Sequence, residues 1–158
     1  MASSGVDLAN LVLAGLVAGN ELGGKLAVHP ALDGLPFPVR LPAEQALYRR
    51  YGRLMPVLMT AALVSGIPVL ARRRDRTAAG FRLTLGGVAC LGAMLGVTFR
   101  GNMPLNQQIL AFAADGSPAD FAALRARWDR IHTIRVGLDL AGFALLCLGA
   151  LRRRQDRG

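Results

Sequence analysis

The sequence predicts an all-α protein: an antiparallel four-helix transmembrane bundle whose long third loop carries a short amphipathic helix. Hydrophobic residues make up 53% of the chain, and the mean hydropathy is +0.37, which is more apolar than an ordinary soluble domain. These residues are gathered in blocks whose lengths approach the roughly 20 residues needed to cross a bilayer as a helix. Two blocks are followed directly by arginine clusters, which is typical of helix ends at a membrane surface.

The first two predicted helices cover about residues 7–28 and 45–71. The first is the weaker, because Asn20, Glu21 and Lys25 interrupt its apolar run. The second contains a stretch from Leu54 to Ala71 without a single charged residue. A soluble bundle, the alternative architecture, needs a polar stripe on each helix, and none can be drawn through that stretch.

The last two predicted helices cover about residues 80–100 and 129–151, and a basic tail follows at 152–158. Leu83 to Phe99 carries no charge, and Val136 to Leu151 carries one, Asp139. In the loop between these helices, Ser117 can cap a helix and Pro118 can begin one. We therefore expect a short amphipathic helix there that lies along the membrane surface as a lid.

The net charge of +9 is better explained by membrane topology than by nucleic-acid binding. The clusters ARRRDR at 71–76 and RRRQDR at 152–157 follow apolar blocks on one side of the predicted bundle. Arginines are enriched on the cytoplasmic side of membrane helices. We therefore predict an integral protein of a bacterial-type plasma membrane, with both termini cytoplasmic and the lipid bilayer as its surroundings.

Polar residues collect near the opposite membrane face, at the ends of the predicted helices. Trp128, His132 and Arg135 are spaced so that they share one helical face, and Asp139 is placed to pair with Arg135 one turn deeper. Ionisable groups at membrane depth normally face the bundle interior and mark a functional site. The same face is expected to gather Asn20, His29, Arg49, Arg53, Asn102 and Asn106.

Two segments, GNMPLNQQIL and RWDRIHTIR, carry a family resemblance. The pattern Asn-x-Pro-Leu-Asn runs from Asn102 to Asn106, and Trp-x-x-x-His-x-x-Arg runs from Trp128 to Arg135. With the pair His29 and Pro30 before an arginine-bearing second helix, the sequence resembles the anthrone oxygenase-like family of small four-helix membrane proteins. The resemblance implies oxygenation of an anthrone to an anthraquinone in polyketide biosynthesis, without flavin or haem.

The residues suggest how such a reaction would proceed. We expect His132 to remove a proton from the substrate, since the unperturbed pKa of histidine, about 6.5, suits a general base. Arg135 with Asn102 or Asn106 would stabilise the enolate oxygen, and dioxygen would be the co-substrate with no cofactor. The expected contacts to a small lipophilic aromatic substrate are Trp128, Arg53, Arg49, Asn20 and His29.

Two alternatives stay open at this point. In a metal-dependent oxidase, His29 and His132 would share an iron or copper ion with Glu21 or Asp129. In a non-enzymatic protein, such as a transporter subunit or a partner of a biosynthetic complex, the arginines could spread into solvent. The discriminating feature is a cavity on which His132, Arg135 and the asparagines converge.

Overall fold

The computed structural model describes residues 2–72 and 79–155, and the side chains of residues 5–72 and 79–152. These residues form six α-helices, with two single-turn π-helical segments, and no β-strand is present among them. The helices are α1 (Ala2–Gly23), α2 (His29–Asp33), α3 (Phe37–Ala71), α4 (Ala79–Val97), α5 (Met103–Leu110) and α6 (Pro118–Gln155). The π-helical segments are Gly24–Val28, between α1 and α2, and Thr98–Asn102, between α4 and α5.

Four continuous helical stretches within these ranges are long and apolar enough to cross a membrane. They are Gly5–Asp33, Phe37–Ala71, Ala79–Leu110 and Pro118–Arg152. Apolar side chains such as Leu16, Val57 and Ile67 are exposed on the outer faces of these helices, as expected for a surface in contact with lipid. The protein is therefore an integral membrane protein built as an all-α bundle.

Each spanning helix extends further than its sequence prediction. Residues 101–110 stay helical although they contain Pro104, which stands in the first turn of α5 directly after a π-helical segment. The predicted surface helix at 118–128 is instead the beginning of α6, since neither glycine nor proline interrupts residues 119–136. The third loop shrinks to residues 111–117, and no separate lid lies between the described helices.

Two apolar clusters hold the bundle together. The first fills the middle of the bundle, where Met59, Leu91 and Met94 from α3 and α4 are fully buried or nearly so. The second lies at the end that carries the polar residues, and there Phe121 and Trp128 of α6 pack with Tyr48 of α3. The first turns of α6 are thus a packed wall of the bundle at this end.

The two π-helical segments occur immediately before the pairs His29–Pro30 and Met103–Pro104. In the first, the backbone N–H of His29 donates to Gly24 O, and in the second the N–H of Met103 donates to Thr98 O. Each of these hydrogen bonds reaches five residues back along the chain. A π turn widens the helix by one residue and is frequent at functional sites. Here the wider turns bring His29 and Asn102 into the interior, where both are buried.

Candidate active site

His132 lies in a buried group of charged side chains on α6. Its Nδ1 atom is 3.2 Å from Arg135 Nη2 and 3.3 Å from Glu21 Oε2. Arg135 also donates from Nε and Nη2 to Glu21 Oε2, at 2.9 and 2.6 Å. The Nε2 atom of His132 is buried and has no hydrogen-bond partner among the described residues. One imidazole nitrogen is therefore held by the charged group, while the other is buried without a hydrogen-bond partner among the described residues.

A cavity of about 60 Å³ adjoins this group. At about 10–15 Å³ per water, it has room for several water molecules. Its wall comes from the end of α1, the π turn after it, the beginning of α2, α3, the second π turn, α5 and α6. The side chains on the wall include Asn20, Glu21, His29, Tyr48, Tyr51, Met55, Met103, Asn106, Trp128, His132 and Arg135.

Trp128 fixes the geometry around His132. The two rings lie with centroids 4.6 Å apart and planes tilted by 32°. The indole Nε1 donates to Asn106 Oδ1 at 2.6 Å, and the backbone oxygen of Trp128 accepts from Asn102 Nδ2 at 3.3 Å. Both asparagines of the Asn-x-Pro-Leu-Asn pattern thus bond to the same residue of α6, which ties α5 and the preceding π turn to the site.

A second buried charged group stands on the other side of Trp128. Arg125 Nη1 donates to the Tyr48 hydroxyl at 2.5 Å, and Arg125 Nε lies 2.8 Å from Glu44 Oε2. Arg125 Nη2 is 3.4 Å from His29 Nδ1. The guanidinium also lies over the Trp128 ring, 4.6 Å from its centroid. These contacts immobilise a cation that would otherwise be costly at this depth.

The structure brings most of the predicted site residues together, but not all. Asn20, His29, Asn106, Trp128, His132 and Arg135 line the cavity. Asn102 is fully buried behind the wall, with its Oδ1 unpartnered in the described chain. Arg49 and Arg53 are exposed and do not line the cavity. Their predicted roles in substrate contact therefore do not match their positions on α3, because that face of the helix looks outward.

The predicted pairing of Asp139 with Arg135 is wrong. Arg135 turns towards Glu21 on α1, and Asp139 has no hydrogen-bond partner for either carboxylate oxygen within the described ranges. The Asp139 side chain is nonetheless fully buried. Spacing along one helix could not reveal the carboxylate of another helix as the preferred partner.

Three residues at the site were not among the predicted site residues: Glu21, Tyr48 and Arg125. In the sequence, Glu21 is a polar interruption of the first apolar block and a possible metal ligand. Arg125 lies three residues before Trp128 and seven before His132, so it extends the same helical face by one turn. This helical spacing is visible in the sequence, but it places Arg125 at the site only if residues 118–128 belong to the fourth helix.

The donor set does not fit the metal alternative. No group of three or more histidine, cysteine, aspartate or glutamate side chains in the described segments is arranged to hold an ion. His29 and His132 are neighbours, with ring centroids 5.3 Å apart. Both carboxylates proposed to complete the set are paired with cations, Asp129 with Lys25 at 2.7 Å and Glu21 with Arg135 at 2.6 Å.

Comparison with known proteins identifies a family for most of the chain. The family model described as Anthrone oxygenase matches residues 45–145. The chain belongs to the anthrone oxygenase family. The matched region contains Tyr48, Asn106, Trp128, His132 and Arg135, whereas Glu21 and His29 lie before it. No curated protein and no solved structure matches the chain.

Proposed function

We propose that this protein is a membrane-embedded oxygenase that converts an anthrone-like aromatic ketone, or another lipophilic phenol, to a quinone with dioxygen and no cofactor. Membership of the anthrone oxygenase family supports the reaction class. The observation that carries the proposal is the buried, unpartnered Nε2 of His132 at the cavity, with the carboxylate of Glu21 beside Nδ1. This arrangement suits a general base.

His132 acts as the base when its proton sits on Nδ1. In this tautomer Glu21 Oε2 accepts from Nδ1 at 3.3 Å and Nε2 presents a lone pair to the substrate; in the other tautomer Nδ1 accepts from Arg135 Nη2 and Nε2 carries the proton. When Nε2 takes a proton, the resulting imidazolium is stabilised by the same carboxylate, as in other carboxylate–histidine pairs. Arg135 holds Glu21 in place with two hydrogen bonds, and its positive charge also favours a nearby enolate oxygen.

The reaction balances without a further reagent. His132 removes a proton from the methylene carbon, and the C–H electron pair passes into the ring system as an enolate. This electron-rich carbon reduces dioxygen and forms a C–O bond, and the peroxide takes the proton back from His132. Loss of water from the hydroperoxide then breaks the O–O bond and the remaining C–H bond at that carbon, and leaves the second carbonyl. Each substrate consumes one dioxygen and yields one quinone and one water.

The cavity supports this chemistry through its lining. Apolar side chains such as Met55 and Met103 line the cavity, while Asn106 Nδ2 has no hydrogen-bond partner among the described residues and can donate to a developing oxyanion. Ligand sites for molecules of this size commonly reach about 300 Å³ or more, so a three-ring substrate requires side chains to move. Methionines are well suited to that movement, since they are unbranched and have three rotatable bonds.

The test is oxidation of anthrone by the purified protein under air. Wild type is expected to consume dioxygen and form anthraquinone in equal amounts, and to form no quinone under argon. His132→Gln is expected to lower the rate by about 10²- to 10⁴-fold, the usual contribution of a positioned base. Arg130→Ala is the matched control on the same helix, because Arg130 is exposed and outside the cavity. Full activity of His132→Gln would rule the mechanism out.

The geometry also favours an enzyme over a non-enzymatic membrane protein. Arg125 and Arg135 are buried, and Arg135 lines one cavity together with His132 and Asn106. A protein that only binds partners through its surface does not need a buried imidazole nitrogen without a hydrogen-bond partner. If wild type bound anthrone but never oxidised it, a carrier role would replace the proposed reaction.

A further inference from the structure

Tyr48 has an unusual hydrogen-bonding position at the cavity. It lies on α3, is 4% exposed, and lines the cavity beside Trp128. Its hydroxyl oxygen accepts a hydrogen bond from Arg125 Nη1 at 2.5 Å. A phenol has one proton to donate, and that proton finds no acceptor in the described part of the chain. The hydroxyl is therefore a donor without a protein partner.

The donor is held rigidly. Arg125, which contacts the hydroxyl, is fixed by Glu44 Oε2 at 2.8 Å and by the Trp128 ring. Glu44 is fully buried, and its other oxygen accepts from Arg40 Nε at 2.7 Å. A hydrogen bond from a cation polarises the phenol and makes it a stronger donor. Groups preorganised in this way stabilise charge that develops during a reaction.

Tyr51 provides an internal contrast. It lines the same cavity from the next turn of α3, but its hydroxyl donates to Asn20 Oδ1 at 3.2 Å. The hydroxyl proton of Tyr51 is therefore already engaged in a hydrogen bond within the protein. The difference between the two tyrosines is specific to the hydroxyl proton, since both rings border the same space.

We propose that Tyr48 donates a hydrogen bond to the ring-carbonyl oxygen of the bound substrate, and to the enolate oxygen that forms from it. Trp128 contacts both Tyr48 and His132, with ring centroids 5.3 and 4.6 Å away. A planar ketone packed beside Trp128 thus meets the Tyr48 donor at its carbonyl and the His132 base at its methylene carbon. The ligand class is a planar aromatic ketone or quinone. The catalytic part of this inference rests on the proposed function; the binding part does not.

Binding is tested with 9,10-anthraquinone, which cannot be oxidised further. Trp128 is the single tryptophan of the chain, so quenching of its fluorescence reports occupancy of the cavity without any turnover. Tyr48→Phe is expected to weaken quinone binding by about three- to tenfold, the effect of one hydrogen bond. Equal binding by wild type and Tyr48→Phe would overturn the inference.

The infrared spectrum of the bound quinone gives a second readout, which detects the hydrogen bond directly in wild type. Wild type is expected to show a carbonyl band at lower frequency than the quinone has in an apolar solvent, because a hydrogen bond weakens the C=O bond. Tyr48→Phe should lose this shifted band, and Tyr51→Phe should keep it. Absence of the shifted band in wild type, or its loss in Tyr51→Phe alone, would contradict the assignment.

Turnover separates this inference from the proposed function. With anthrone as substrate, Tyr48→Phe is expected to lower kcat by about 10²- to 10³-fold, as loss of one oxyanion donor does in other enzymes. If wild type binds anthraquinone through Tyr48 yet oxidises no anthrone, the oxygenase proposal fails while the binding site stands. If wild type oxidises anthrone and Tyr48→Phe does so at the same kcat, only the role of Tyr48 fails.

Discussion

At the scale of single residues, the site consists of charges that are buried but matched across helices. Glu21 on α1 and Arg135 on α6 form an ion pair at 2.6 Å, and both side chains are nearly inaccessible to solvent. Removing one partner of such a pair leaves an uncompensated charge and costs about 3–5 kcal/mol. The pair is therefore expected to hold α1 against α6 as well as to orient His132.

Glu21→Gln separates these two roles. Glutamine keeps an oxygen that can accept from Arg135, but it lacks the negative charge that stabilises the His132 imidazolium. We expect anthrone turnover to fall by about 10²-fold or more, with anthraquinone quenching of Trp128 fluorescence retained. Steady-state kinetics beside the fluorescence titration will check this. Unchanged turnover would mean that the carboxylate has no part in the proton transfer.

Asp139→Asn tests the unpartnered carboxyl group. A buried carboxylate without hydrogen bonds is costly, and asparagine has nearly the same shape without the charge. We expect the variant to match or exceed the stability of wild type when both are unfolded in mixed detergent micelles by increasing amounts of SDS. A loss of more than about 2 kcal/mol would show that the Asp139 carboxylate makes a stabilising contact of its own.

Residue identities in the site were most predictable where helical spacing reports them. Trp128, His132 and Arg135 recur at intervals that place them on one face, and the structure puts all three on the cavity. The positions of Arg53 and Asn102 depend on the rotation of a helix relative to its neighbours. Local spacing does not fix that rotation, so one of them faces outward and the other lies behind the wall.

At the scale of the helices, sequence predicts where the apolar blocks lie better than where the helices end. The second predicted helix stops at residue 71, as α3 does, but α3 begins at Phe37 rather than at residue 45. Its early turns contain Pro42 and the charged residues Arg40 and Glu44, which mask them in an apolar-block analysis. They are stabilised by packing of Leu41 and Tyr48 against the beginning of α6, and that tertiary contact is invisible in local sequence.

Glycines on α6 provide a test of helix packing. A Cβ atom at Gly149 would stand 2.5 Å from Thr84 Oγ1 and 3.2 Å from the Thr84 backbone nitrogen, whereas one at Gly137 meets nothing within 4 Å. We expect Gly149→Ala to destabilise the protein by about 1–3 kcal/mol and Gly137→Ala to be neutral or stabilising. Thermal unfolding in detergent, followed by circular dichroism, distinguishes the two. Equal stabilities would mean that α4 and α6 are not packed this closely.

At the scale of the whole molecule, four crossings place the beginning of α1 and the end of α6 on one side of the membrane. The charged groups around His132 and Arg125 gather at the other end of the bundle, where the π turns, α2 and α5 are found. The class and number of spanning helices followed directly from hydropathy. Which side faces the cytoplasm depends on the arginine clusters, most of which lie outside the described residues.

Cysteine labelling tests this orientation. With Cys90 and Cys147 replaced by alanine, Asp115→Cys places a single thiol in the loop between α5 and α6, and Arg72→Cys places one at the end of α3. We expect a membrane-impermeant maleimide added to intact cells to label position 115 and not position 72, because arginine-rich ends stay cytoplasmic. Labelling of position 72 and not of position 115 would show that the protein has the opposite orientation in the membrane.

The central claim is that His132, held by Glu21, removes a proton from the substrate. It is tested most directly without oxygen, by following hydrogen–deuterium exchange at the methylene carbon of anthrone in D₂O under argon. Wild type is expected to accelerate the exchange well beyond the rate in buffer, and His132→Ala is expected to return it to the buffer rate. Equal acceleration by the two proteins would contradict the assignment of His132 as the base.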